Sequence, residues 1–177
     1  TEGLPASQRP DVLLATASKA LGVEGGFACV DETLATLMRN CARGYVFSSA
    51  PSPVVAAGVA AAVEYLRTDT RRVCSLQANV AQARLLLAEA DLIPSSAAHD
   101  RGPIIRIPVG PESRAVAAQE ELARRGLMVG AIRYPAVARG DAILRICLTA
   151  RHTDEHIRIL VTSLREVLDG ALSDAPR

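Results

Sequence analysis

The chain has 177 residues, 49% of them hydrophobic, which is enough for one packed domain or for a domain with part of another. Its formal net charge of +1, its 3% aromatic content and its lack of Trp give no basis for binding nucleic acid or an anionic membrane. The longest apolar run, 54–63, has about ten residues, whereas a membrane-spanning helix needs about twenty. We therefore expect a cytoplasmic protein without a membrane segment.

Residue types that bind metals are present but poorly spaced for that role. The four cysteines have no spacing typical of a metal site or a disulfide framework, so we expect free thiols, buried or partly buried, in a reducing compartment. His152 and His156 are four residues apart, but His152 precedes a predicted helix and no third ligand is close. We expect these two and His99 to be surface residues, and we expect no metal.

The first part of the chain alternates strands, glycine turns and helices. An apolar run at 12–15 predicts a buried strand, and a second strand is predicted at 27–30 after a glycine-rich turn. Asp31 is a typical helix N-cap for the amphipathic pattern that follows it. Residues 45–49 are predicted to be extended, and the alanine-rich pattern over 54–67 predicts a helix.

The second part is predicted to contain three strands and three helices. Three apolar runs separated by helical periods predict that the strands share one sheet. The strands are predicted at 104–109, 127–133 and 143–148, and the helices at 73–90, 112–125 and 153–168. The fold class is therefore α/β, with an α/β layer over 1–70 and a small α+β domain with a three-stranded sheet over 71–177.

Lys19 is the only lysine among the 20 basic Lys and Arg residues. Arginine can replace lysine at many solvated positions, but a guanidinium cannot condense with an aldehyde. Lys19 lies between a predicted buried strand and a glycine turn, where desolvation would favour the neutral, nucleophilic amine. Thr16 and Ser18 supply hydroxyls that a phosphate would need. The alternative is a surface lysine that persists in a turn.

Four segments together resemble a known family. The pattern Thr-x-Ser-Lys-Ala-x-Gly-x-x-Gly-Gly at 16–26 is similar to the lysine signature of the α-oxoamine synthases, which are fold-type-I pyridoxal 5'-phosphate (PLP) enzymes. Segments 45–53, 131–135 and 143–150 resemble three further motifs of that family, in the family's order. Each motif alone is weak, but four in order are specific, and the match spans about 11–168.

The resemblance implies a role for each candidate site residue. Lys19 would carry PLP as a Schiff base and move the substrate α-proton, and Thr16 would bind the cofactor phosphate. Ser48 and Ser49 would reach the phosphate of a neighbouring subunit, which implies a homodimer with shared active sites. Arg145 would hold the substrate carboxylate through two parallel hydrogen bonds. The alternatives are polar strand-end residues for the two serines and a solvent-facing arginine for Arg145.

The resemblance also implies a reaction. Members of the family condense an amino acid, alanine or glycine, with an acyl-CoA or acyl-carrier thioester and release CO2. Segment 131–135 most resembles the members that join alanine to a pimeloyl thioester in biotin biosynthesis, while glycine-using and sphingoid-type members stay open. Other possibilities are a fold-type-I aminotransferase or lyase, which would share Lys19, and a non-catalytic remnant or scaffold fragment. Arg133 can be peripheral or structural.

Two departures from the family pattern limit what the chain can do by itself. Residues 134–136 are Tyr-Pro-Ala where the family often has Pro-Pro-Thr, so a hydroxyl is missing. No residue before Asp11 matches the Asp that pairs with the pyridine nitrogen or the His that stacks on the ring, and PLP without that Asp loses much of its electron-sink character. We therefore expect the C-terminal part of a longer enzyme: the end of the PLP-binding large domain over 1–70, then the small domain.

Overall fold

The chain divides into a first unit, Thr1–Asp69, and a second unit, Thr70–Arg177. The computed structural model describes residues 5–173. No helix in that range is long and apolar enough to cross a membrane.

The first unit begins with a two-stranded antiparallel hairpin. Strands β1 (Leu13–Thr16) and β2 (Gly26–Cys29) pair from Leu13 opposite Cys29 to Thr16 opposite Gly26. Both strands were predicted within one residue, but the prediction that the first is buried is wrong, because Leu14 is 72% exposed. A sheet of two strands cannot cover its own faces, so hydrophobic side chains remain in solvent.

Three helices follow the hairpin. Helix α1 (Glu32–Cys41) begins after Asp31, whose carboxylate accepts the N–H of Leu34 at 2.8 Å, as predicted for an N-cap. A short helix, α2 (Arg43–Val46), comes next. Helix α3 (Pro53–Thr68) begins with Pro at its first position, after Ser52 accepts the N–H of Val55.

The prediction of an extended segment at 45–49 is wrong. Helix α2 occupies its first part, and the N–H groups of Val46 and Phe47 donate to the carbonyls of Ala42 and Arg43. An isolated extended segment would leave these backbone groups without a strand partner, whereas a helical turn satisfies them locally.

The second unit contains a three-stranded antiparallel sheet in the order β3-β5-β4. Its strands are β3 (Ile104–Gly110), β4 (Gly130–Ile132) and β5 (Ala142–Cys147). The prediction that three strands share one sheet is confirmed. Strand β4 is shorter than the predicted 127–133, because only its three residues pair with β5 before the chain turns at Tyr134-Pro135.

Three helices pack with this sheet around a hydrophobic core. They are α4 (Arg71–Glu89), α5 (Glu112–Arg124) and α6 (Asp154–Ser173), close to the three predicted helices. The largest fully buried side chains come from both layers: Val80, Leu87, Ile105, Ile107, Leu122, Leu144, Ile157 and Leu164. One face of the sheet is therefore buried, and the alternation of strand residues leaves the other face open.

Four cysteines in the described residues are free and exposed, at 29, 41, 74 and 147. The prediction of buried or partly buried thiols is therefore wrong. Cys147 lies on the open face of its sheet, opposite Ile104, and Cys29 ends the exposed strand β2.

Candidate cofactor and substrate site

The loop that joins β1 and β2 is closed by backbone hydrogen bonds around Lys19. The N–H of Ala17 donates to Gly25 O at 2.9 Å, and that of Gly22 donates to Lys19 O at 3.1 Å. Gly22 and Gly25 have φ values of +67° and +100°, which residues with a Cβ rarely adopt. The glycines of the sequence motif are therefore what allows this tight turn, here called the lysine turn (17–25).

The Lys19 amine and two hydroxyls form one short chain of contacts. Lys19 Nζ donates to Ser18 Oγ at 3.0 Å, and Ser18 Oγ lies 2.8 Å from Thr16 Oγ1. Thr16 Oγ1 also contacts Gly25 O at 3.3 Å, which ties the hydroxyl to the turn. Thr16, Ser18 and Lys19 are thus brought together as predicted, with Ser18 as the direct partner of the amine.

Lys19 is not buried in this chain, so the desolvation predicted for it does not occur here. The lysine, Ser18 and Thr16 are all exposed, because β1 has no neighbour other than β2 in the first unit. A wide-open depression of about 650 Å³ borders Thr16, Gly26, Phe27 and Tyr45. Its lining contains no acidic residue.

These residues fit one part of a PLP site. An exposed primary amine can reach an aldehyde, and hydroxyl groups within hydrogen-bond distance of one another can donate to phosphate oxygens. The hairpin itself requires glycine at position 26, because a Cβ there would lie 3.0 Å from Ala15 O on the paired strand.

Ser48 and Ser49 follow α2 and are exposed. The Ser48 hydroxyl donates to Gly44 O of the same helix, so it would have to leave this contact to bind a phosphate. Tyr45 and Phe47 beside them are 67% and 79% exposed, which makes this an apolar surface of the first unit.

Arg145 lies in the second unit, on the open face of the sheet. Its neighbours Leu144 and Ile146 are 0% and 4% exposed, so the predicted alternation on β5 is confirmed. Arg145 is opposite Gly130 on β4 and opposite Arg106 on β3. Arg133 follows β4 and is exposed.

The two neighbouring histidines support the backbone. The N–H groups of Thr149 and Thr153 donate to Nδ1 of His152 and His156, each at 3.2 Å. Within residues 5–173, no group of three or more His, Cys, Asp or Glu side chains is placed to hold a metal. Sequence reasoning missed the hydrogen bond from Thr153 to His156, although the Thr-x-x-His spacing at a helix start resembles a capping box.

The model of the family "Aminotransferase class I and II" matches residues 4–164. The chain belongs to the class I and II aminotransferase family. Among curated relatives, it is 98% identical over 177 residues to the biotin biosynthesis bifunctional protein BioWF of Cutibacterium acnes. It is 40% identical over 171 residues to the 8-amino-7-oxononanoate synthase of Halorhodospira halophila.

This family member spans only part of its relatives. It covers 27% of the length of the Cutibacterium acnes protein and 42% of the Halorhodospira halophila synthase, while 100% and 97% of the chain itself is matched. The activity and partners of the whole protein are therefore not properties of these residues alone.

Solved structures of family relatives have the same fold over most of the chain. Serine palmitoyltransferase from S. paucimobilis, with bound PLP-myriocin, matches 92% of this chain and 41% of its own, with a TM-score of 0.82 and 21% identity. The 8-amino-7-oxononanoate synthase from Francisella tularensis matches 91% of this chain and 46% of its own, with a TM-score of 0.78 and 23% identity. The chain is thus an α/β fragment that matches part of fold-type-I PLP enzyme structures.

Proposed function

We propose that the protein to which this chain contributes is a PLP-dependent acyltransferase of the α-oxoamine synthase type, with 8-amino-7-oxononanoate synthase activity. It condenses alanine with a pimeloyl thioester and releases CO2. The observation that carries the proposal is the lysine turn, in which the chain's only lysine contacts Ser18 beside Thr16. The names of the BioWF and 8-amino-7-oxononanoate synthase relatives support the choice of reaction.

The two units take different places in the proposed enzyme. Thr1–Asp69 is the end of the PLP-binding large domain, and Thr70–Arg177 is the small α+β domain. The exposure of Leu14 and Phe27 supports this placement, because a hairpin inside a larger sheet would have covered faces.

When bound, PLP withdraws electrons from the substrate's α-carbon. Lys19 Nζ would hold the cofactor through its aldehyde, and the same amine would be the base for the α-proton of the amino acid. Ser18 Oγ accepts a hydrogen bond from Nζ and orients it. Thr16 Oγ1, which contacts Gly25 O in this structure, would be a donor to the cofactor phosphate. Arg145 binds the amino acid's carboxylate through its two parallel N–H donors.

The experiment that tests the central role is covalent trapping in the full-length protein. Borohydride reduction should place phosphopyridoxyl mass on the peptide that contains Lys19. Lys19→Arg should keep the fold, because the side chain is exposed, and should abolish both label and turnover. Label on a lysine outside this chain, or an active Lys19→Arg protein, would contradict the proposal.

A second variant controls for non-specific labelling of any lysine. Combining Lys19→Arg with Arg43→Lys places the lysine on α2, which is also exposed in the first unit. This variant should remain unlabelled, because a primary amine away from the lysine turn lacks the Ser18 and Thr16 hydroxyls.

A separate assay distinguishes the alternative function. Release of a keto acid from alanine without the thioester would indicate an aminotransferase.

The proposed enzyme is a homodimer in which Ser48 and Ser49 contact the partner's cofactor phosphate. Their exposure beside Tyr45 and Phe47 supports an interface at this surface. Inactive Lys19→Arg protein mixed and reassociated with inactive Ser48→Ala/Ser49→Ala protein should regain about a quarter of wild-type activity, because half of the dimers would contain one intact site. No recovery in verified mixed dimers would contradict shared sites.

A further inference from the structure

The open face of the three-stranded sheet is basic and apolar. Its side chains come from alternate positions of β3 and β5 and from Ile132 of β4, and Gly130 lies on the same face without a side chain. Ile104 is 54% exposed on this face, and Arg106 and Arg145 are also exposed. None of the residues in the three strands is acidic, so the sheet carries no charge that could balance the two arginines.

Arg106 and Arg145 stand directly opposite each other in the register of β3 and β5. Side chains at opposite positions of antiparallel strands have Cβ atoms about 4.5–5.5 Å apart, and like charges there are destabilising. Neither guanidinium has a hydrogen bond or an ion pair within residues 5–173. The two guanidinium groups lie side by side and repel each other. An anion bound between them would relieve this repulsion.

Several other arginines of the second unit do have acceptors within the protein. Arg84 contacts Asp100, Arg125 contacts both Glu121 and Glu166, and Arg114 donates to Leu168 O. These side chains have acceptors from the protein itself. The pair on the sheet does not, so its donors remain available to a ligand.

Gly130 gives the Arg145 side chain room on the side away from Arg106. A Cβ on Gly130 would lie 3.9 Å from Arg145 Nε, so the arginine passes over the glycine in ordinary van der Waals contact. A larger residue would compete for the space that this side chain fills. The open face thus presents two exposed guanidiniums beside Ile104 and Ile132.

We propose that Arg106 is a second carboxylate-binding residue, which acts with Arg145 on the carboxylate of the amino-acid substrate. A carboxylate has about four acceptor positions, enough for two donors from each guanidinium. The inference rests on the proposed function, because it takes Arg145 to be part of the substrate site. Arg106 adds the second half of that contact and favours substrates with a free carboxylate over their neutral analogues.

The test measures alanine affinity by calorimetry in the full-length holoenzyme without thioester, and compares alanine with alaninamide, which lacks the carboxylate. Arg106→Gln should weaken alanine binding on the order of tenfold, as expected for the loss of a charge-assisted contact. Alaninamide binding should be unchanged. Arg165→Gln is the matched control, because it removes one exposed positive charge from α6 and should change neither affinity.

A double-mutant cycle separates a shared ligand from independent effects. If both arginines bind one carboxylate, the losses from Arg106→Gln and Arg145→Gln should be non-additive. Alanine affinity that depends on Arg145 alone, with Arg106→Gln equal to the Arg165→Gln control, would overturn the inference and leave the proposed function intact. Equal weakening of alanine and alaninamide would also overturn it.

The role of Arg106 can also be tested in the cofactor-free protein, where the result does not depend on the role of Lys19. Acetate should raise the melting temperature of the cofactor-free protein, and the rise should shrink in both arginine variants but not in Arg165→Gln. Lys19 could fail the labelling test while the rise in melting temperature with acetate still depends on both arginines. In that case the proposed function fails and the anion site stands. If Arg106→Gln only raises the melting temperature and leaves the acetate effect unchanged, the pair is simply repulsive and the inference is wrong.

Discussion

At the scale of single residues, Arg84 is a buried arginine of the second unit that is held by several acceptors. Its side chain is 5% exposed and contacts Asp100 at 3.1 Å. It also donates to the carbonyls of Ala97 and Gly102 at 3.1 and 2.9 Å. This arginine therefore ties α4 to the segment that leads into β3, and its loss would leave these carbonyls without their arginine donor.

Arg84→Met should lower the free energy of unfolding by about 3 kcal/mol, because methionine fills the space but donates no hydrogen bond. Denaturant unfolding of the 177-residue chain, followed by circular dichroism, measures the change. Arg101→Met is the matched control: Arg101 is exposed and contacts Gln77 at 3.2 Å, so its loss should cost less than about 1 kcal/mol. Equal losses in the two variants would contradict the structural role of Arg84.

At the scale of the elements, helix α6 begins with a reciprocal pair of hydrogen bonds. The N–H of His156 donates to Thr153 Oγ1 at 3.3 Å, and the N–H of Thr153 donates to His156 Nδ1 at 3.2 Å. This is a capping box with histidine in the place of the usual Glu or Gln. The pair satisfies two backbone donors that a helix start would otherwise leave open.

Thr153→Ala should destabilise the second unit by about 1 kcal/mol through loss of the N-cap, as measured by thermal unfolding. His156→Gln should cost less, because glutamine also supplies an acceptor at this position. Thr162→Ala, at an exposed position inside α6, should be neutral or slightly stabilising because alanine favours helix. A Thr153→Ala protein as stable as Thr162→Ala would rule out the cap.

Helix α5 makes the second unit sensitive to acid. Hydrogen bonds from Arg125 and Arg124 lower the pKa of Glu121 from its usual value, and the N–H of Gly140 lowers the pKa of Glu112. A carboxyl whose pKa is lower in the folded state stabilises the fold above its unfolded pKa, and this stability is lost as pH falls through the folded value. Stability should therefore decrease as pH falls below about 4.5.

Glu121→Gln and Glu112→Gln should each flatten the acidic limb of a plot of melting temperature against pH, because glutamine does not titrate. Glu89→Gln is a suitable control, because Glu89 is exposed at the end of α4 and has no ion pair or hydrogen bond within the described residues. An acidic limb that both α5 variants leave unchanged would show that other carboxyls set the acid response.

At the scale of the whole molecule, burial is very unequal between the two units. Among the residues whose burial the structure describes, the second unit has a continuous core of 20 buried hydrophobic residues. In the described part of the first unit, Ala17 is the one buried hydrophobic residue, whereas Leu14, Tyr45, Phe47 and Val54 are exposed. Apolar burial is the main favourable term in folding, so the second unit holds most of the stability of this chain.

Hydrogen exchange of the 177-residue chain should find the slowest amides in β3, β5 and α4, and fast exchange in β1 and β2. The full-length protein is the control, because the proposed large domain would cover the hairpin and slow its exchange. If β1 exchanges as slowly as β5 in the isolated chain, the distribution of stability inferred from burial is wrong.

The sequence by itself determined those features that depend on local chemistry. Only a primary amine can condense with an aldehyde, so the single lysine, Lys19, among many arginines predicts a Schiff-base role, and this role stays a prediction. Asp31 determined a helix start because an N-cap acts within one turn. Alternation along β5 determined that Arg145 faces away from Leu144, because the period of a strand is two residues.

Only the tertiary structure decided the features that depend on residues distant in the chain. The register of β3 and β5 places Arg106 opposite Arg145, and nothing in either strand alone predicts that pairing. The exposure of β1 and the short helix in place of an extended 45–49 depend on which neighbours are present to cover strands and pair with them. Arg84 is buried for the same reason: carbonyls brought from residues 97–104 supply its acceptors, and only folding brings them there.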